Sequence, residues 1–71
     1  PSAPKTLAWQ DAVNLIFTGD VESAMQTHQG VVTLNTKSGE RFVTQTPKMD
    51  EILRVKKGCG APCRDLAIAM E

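Results

Sequence analysis

Val31-Val32-Thr33-Leu34-Asn35-Thr36, then Lys37-Ser38-Gly39-Glu40, then Arg41-Phe42-Val43-Thr44-Gln45 carries the architecture of this chain in fifteen positions. The first run is β-branched and strand-forming, the polar tetrapeptide is a turn, and the second run returns, with Phe42 and Thr44 facing opposite to Val43. Upstream, Val21, Ser23 and Met25 fall on one face of a moderately hydrophobic strand, and His28-Gln29-Gly30 supplies a turn into Val31. Together these runs predict a meander of three antiparallel strands.

Helical patterning flanks the meander. Trp9, Ala12, Val13, Ile16 and Phe17 fall at i, i+3, i+4, i+7 and i+8, one face of a helix spanning Thr6 to Thr18, with Thr6 as N-cap and Gly19 past its end. Gln10, Asp11 and Asn14 lie on the opposite, solvated side. After the strands, Thr46-Pro47 reads as N-cap and first residue of a second helix. Asp50 and Glu51 then sit near its positive end and Arg54, Lys56 and Lys57 near its negative end, as the helix dipole favours. Met49, Ile52, Leu53 and Val55 form its apolar side, and Gly58 stops it. Beyond a Gly58-Cys59-Gly60-Ala61-Pro62-Cys63 corner, Asp65 to Met70 is too short for a stable helix and reads as a fourth strand.

The expected fold class is therefore α+β: an α-β-β-β-α-β domain over residues 6–71 after a flexible lead-in of residues 1–5, with a mostly antiparallel sheet of three to four strands and two helices on one face. The expected core is Trp9, Val13, Ile16, Phe17, Val32, Leu34, Ile52 and Leu53, joined by Phe42 or Val43. With 71 residues there is room for one thin core, since a domain of this size buries only about 60% of the surface its unfolded chain exposes.

Composition narrows the function classes. Eight basic and eight acidic residues cancel, so no long-range field draws the chain to nucleic acid or anionic lipid. No apolar run approaches the roughly 20 residues that a membrane helix requires, so this segment is not expected to insert. An anchor or leader upstream of Pro1 is left open.

The two cysteines permit three readings: a disulfide, a redox pair or half of a metal site. Gly58, Gly60 and Pro62 break the backbone, so Cys59 and Cys63 flank a loop tight enough to be bridged, and closing it stabilises the fold by about 2 kcal/mol. A redox role is disfavoured because Cys59 follows a helix C-terminus, whose dipole raises a thiol pKa, although Lys56, Lys57 and Arg64 offset part of that. A zinc site would need His28, the only histidine, plus a carboxylate to meet Cys59 and Cys63. No triad signature or nucleophile elbow exists, and Asp50-Glu51 is more readily a helix-dipole device than an acid-base couple. Accordingly no catalytic residue, cofactor or metal is expected. Trp9, sharing a face with Ala12, Val13 and Ile16, reads as a core anchor rather than an interface hot spot.

The element order, the Gly19-Asp20-Val21 junction, the Ser38-Gly39-Glu40-Arg41-Phe42 turn and the Thr46-Pro47 helix start resemble the small extracytoplasmic domain of FtsH-type membrane-anchored AAA proteases. The resemblance spans roughly positions 8 to 58 and rests on Ile16, Gly19, Val21, Val32, Leu34, Gly39, Phe42, Thr44 and Pro47. It implies a non-catalytic domain outside the cytoplasm that serves hexamer assembly or contact with partner proteins. The Cys59 to Cys63 loop departs from that pattern, and neither an ATPase nor a protease segment is present.

The function expected from the sequence is thus a non-enzymatic, extracytoplasmic binding or assembly module, periplasmic or at the cell surface. A protein partner or self-association is expected, without nucleic acid. The candidate interaction surface is His28, Gly60, Ala61 and Arg64, or a sheet edge. The alternative is a thiol-dependent redox or metal-binding protein using the Cys59 to Cys63 loop.

Overall fold

The computed structural model describes residues 4–71. Its elements are β1 (Lys5–Thr6), α1 (Trp9–Phe17), β2 (Val21–Gln26), β3 (Val31–Thr36), β4 (Arg41–Gln45), α2 (Glu51–Cys59), a 3-10 turn (Ala61–Cys63) and β5 (Ala67–Met70). The five strands form one sheet in the order β1-β4-β3-β2-β5. The meander β2-β3-β4 is antiparallel as the sequence predicts, but both outer pairings, β1 with β4 and β5 with β2, are parallel. The fold is α+β with two helices, and the expectation of three to four mostly antiparallel strands gives way to a mixed sheet of five.

Chain direction explains the parallel edges. From β1 to β2 the chain crosses over β4 and β3 through α1; from β4 to β5 it crosses over β3 and β2 through α2. Both crossovers join parallel strands and travel the same way across the sheet, so the right-handed preference of such units puts both helices on one face. The buried strand residues lie on that face. Ala24, Leu34 and Phe42 line up across β2, β3 and β4, as do Gln26, Val32 and Thr44. Against them pack Ala12 and Ile16 of α1 and Ile52 of α2, with Cys63 and Leu66 closing the far end of the core.

Several element boundaries differ from the sequence reading, each for a local reason. Thr6 does not cap α1. Lys5 and Thr6 pair with Phe42 and Val43, and Leu7 N–H donates to the Val43 carbonyl, so the helix starts only after Ala8. Lys5 therefore belongs to the sheet rather than to a lead-in; residues 1–3 of that lead-in lie outside the described residues. Thr46 does not cap α2 either. Its N–H donates to the Gly30 carbonyl and its hydroxyl to the Lys48 carbonyl, so it still belongs to the end of the sheet. The helix begins after Asp50, which turns the chain with φ of 65°. It passes through Gly58 and ends at Gly60, whose φ of 72° suits glycine.

An irregularity in β2 reverses the expected alternation. The register shifts between Val21 and Ser23, so Val21 and Ala24 both point into the core while Met25 faces out. Two expected core residues are also outside: Phe17 is 48% exposed and Leu53 47%. Each follows a fully buried isoleucine, Ile16 or Ile52, and a one-residue step turns a helix by about 100°, which is enough to leave the core-facing side. Trp9, Val13, Phe42 and Val43 are half-buried. Ile16, Val32, Leu34 and Ile52 are the largest fully buried side chains, as expected.

Candidate interaction surface

The cysteine corner is built to hold helices together. Cys59 ends α2, Cys63 ends the 3-10 turn, their Cα atoms are 5.8 Å apart and their sulfurs lie at disulfide-bonding distance. Cys63 is buried, and its Sγ lies 3.2 Å from the Ile16 carbonyl oxygen at the end of α1. A disulfide sulfur carries no proton, so this is a polarised contact rather than a hydrogen bond. Pro62 presses on the same turn: a Cβ at Gly19, where φ is 81°, would sit 3.1 Å from the Pro62 carbonyl oxygen. The corner therefore ties the ends of α1 and α2 to the start of β5, and its buried sulfur faces the interior rather than a substrate.

The sequence-predicted surface residues do not converge. Gly60, Ala61 and Arg64 are exposed at the corner, at the beginning of β5. His28 is exposed in the β2-β3 turn, at the other end of β2, where its N–H approaches the Glu71 carboxylate at 3.4 Å. The parallel register, Ser23 with Ala67 through Gln26 with Met70, separates them by the length of the strand. This placement also keeps His28 away from Cys59 and Cys63. Among the described residues no group of three or more His, Cys, Asp or Glu side chains could hold a metal. The adjacent carboxylates serve the fold. Asp50 accepts from the buried Gln26 amide and returns its own N–H to the Gln26 oxygen, while Glu51 lies 4.0 Å from Arg54.

The two sheet edges are unequal. At β1 only two residues pair, Pro4 precedes them, and Lys5 carries a charge. Because Leu7 directs its N–H inward to β4, alternation leaves only Thr6 with outward backbone groups. Short length, proline and lysine are the devices that keep an edge from pairing. At β5 proline and lysine are missing and four residues pair rather than two. Ala67-Ile68-Ala69-Met70 is uncharged and free of proline. Glu71 N–H donates inward to the Gln26 carbonyl at 2.9 Å, so Ala69 also faces β2 and the N–H and C=O groups of Ile68 and Met70 point away from the sheet. The sequence places a strand here but does not reveal which edge it forms; the signal it does offer is an unguarded apolar run after a broken corner.

Next to this edge lies the sheet face that neither helix covers. Ala69, Met25, Thr33 and Val43 form a mainly apolar row across β5, β2, β3 and β4. Beside it runs the row Ala67, Ser23, Asn35 and Arg41, whose polar part is held by Asn35 Nδ2 donating to Ser23 Oγ and Arg41 Nε donating to Asn35 Oδ1, both at 3.2 Å. Met25 on this face is 44% exposed; Met70, in register with the buried Gln26 on the opposite face, is 41% exposed along the same edge. Methionine there offers a soft, adaptable apolar contact.

No protein-family model matches the chain, and no characterised protein is detectably similar to it in sequence. No helix among the described residues is long and apolar enough to cross a membrane.

Proposed function

We propose that this chain is a non-enzymatic binding or assembly module that works outside the cytoplasm, of the kind that its FtsH-like pattern suggests, and that it binds by adding an extended protein segment to the free edge of β5. The observation that carries this reading is the contrast between the edges: β1 is guarded by Pro4, Lys5 and brevity, while β5 presents unpaired Ile68 and Met70 backbone groups beside an uncovered apolar row. Backbone pairing supplies affinity in such recognition, and alternate side-chain pockets supply selectivity. The Cys59–Cys63 pair supports an oxidising compartment, where disulfides persist. Zero net charge implies contacts that depend weakly on salt.

The test is selection of extended heptapeptides that bind the chain, repeated on Met70→Pro. That substitution removes an outward N–H and leaves the pairing with β2 in place. Peptides that bind the parent and not Met70→Pro support the reading. Failure to select any, or binding indifferent to Met70→Pro, counts against it. Turnover of peptides, esters or nucleotides that vanishes in Cys59→Ser or His28→Ala with the fold intact would replace it with the thiol or metal alternative.

A further inference from the structure

Resting on that reading, we infer that the segment β5 accepts is β5 of a second copy, paired antiparallel about a two-fold axis at Ala69. The outward groups belong to Ile68 and Met70, two positions apart. Setting Ile68 of one copy opposite Met70 of the other gives every one of these N–H and C=O groups a partner, in the alternating pattern of an antiparallel ladder. Ala69 then faces Ala69 of the second copy as the non-hydrogen-bonded pair, where Cα atoms approach to about 4.5 Å and the two side chains lie side by side on the uncovered face. The arrangement continues the sheet through the axis, five strands from each copy.

Charge selects this direction. The start of β5 carries Arg64 and Lys56, whose Nζ donates to the Leu66 carbonyl at 2.6 Å, beside the carboxylate of Asp65; its other end carries Glu71. Antiparallel pairing lays the acidic end of each strand along the basic start of the other, whereas parallel pairing would put like ends together. The guarded edge accounts for closure. After β5 pairs with β5, both outer edges of the dimer are β1, so the assembly stops at two copies rather than growing into a fibre.

The experiment is sedimentation equilibrium of the disulfide-intact chain up to millimolar concentration, for the parent, Ala69→Lys, Ala69→Glu and an equimolar mixture of the two variants. Ala69 is exposed on the uncovered face, so both variants keep the core, which a circular dichroism melt checks. The parent is expected to dimerise, each variant alone to associate about fivefold more weakly through the like charges set opposite each other, and the mixture to regain parental affinity through the Lys-Glu pair. A parent that stays monomeric throughout overturns the inference, as does a dimer that ignores the charge at position 69 or a mixture no stronger than its components. Peptide selection on the free edge reads the broader proposal separately: heptapeptides that require the Met70 N–H, together with a monomeric parent, would refute self-pairing and leave β5 as the binding edge.

Discussion

Reducing the Cys59–Cys63 disulfide should lower stability by about 2 kcal/mol while leaving the fold intact. The cysteines are four residues apart, and closing so short a loop removes about 7 cal/mol/K of entropy from the unfolded chain, which is about 2 kcal/mol at room temperature. Unfolding of 71 residues carries an entropy of about 0.15 kcal/mol/K, so the loss translates into a melting temperature lower by about 13 °C. The fold survives because the corner has other ties. Cys63, Arg64 and Leu66 N–H groups close successive turns on Gly60, Ala61 and Cys63 carbonyls, and Leu66 is buried in the core. The assay is thermal unfolding followed by circular dichroism with and without a phosphine reductant, with alkylation and mass spectrometry to count thiols. The Cys59→Ala/Cys63→Ala double variant should melt at or below the reduced parent, since it also loses the buried sulfur beside Ile16. Two alkylated thiols in the unreduced sample, an unshifted melt on reduction, or loss of a cooperative transition would each refute this account of the corner.

Other perturbations probe the core and turns by the same melts or by urea titration. Ile16→Ala should cost about 2 to 5 kcal/mol, because the side chain is fully buried between α1 and the sheet; an unchanged urea midpoint would remove it from the core. Thr44→Val should hold or raise stability by about 1 kcal/mol, since the Thr44 hydroxyl is buried without a partner and valine keeps its shape; a clear loss would mean the hydroxyl has an acceptor after all. Gly30→Ala should be destabilising by more than about 1 kcal/mol: φ is 81° there and a Cβ would stand 2.7 Å from the Gln45 amide nitrogen, which itself donates to the Gln29 carbonyl. A neutral Gly30→Ala would show that this turn relaxes freely.

The meander and both helices were legible because their signals are local: β-branched runs, a Ser38-Gly39 turn and apolar residues at helical spacing. What was not legible depends on pairing across the chain. Lys5-Thr6 has no strand signature of its own and becomes one because β4 offers it an edge. The strand at Ala67–Met70 can be placed from its length, but its parallel direction follows from the α2 crossover. In β2, one extra residue near Glu22 exchanges the faces, so strict alternation from Val21 assigns Met25 inward when Ala24 belongs there. Thr46-Pro47 carries the local marks of a helix start, yet its N–H is claimed by Gly30, and Asp50 makes the turn instead. The residues of the candidate surface come from two separate places in the fold. The corner residues Gly60, Ala61 and Arg64 are exposed, His28 lies at the opposite end of β2, and the outward groups of Ile68 and Met70 follow only from the sheet order.

Residue-resolved amide hydrogen exchange on the chain, dilute and then concentrated or bound to a selected peptide, tests the role of the β5 edge most directly. In the dilute chain the Ile68 and Met70 amides should exchange rapidly while Ala69 and Glu71, which face β2, are protected; on association Ile68 and Met70 should become protected as well. Contradiction would be association that leaves Ile68 and Met70 exchanging as before while amides elsewhere, such as those around Phe17 and Leu53 on the helical side, slow down.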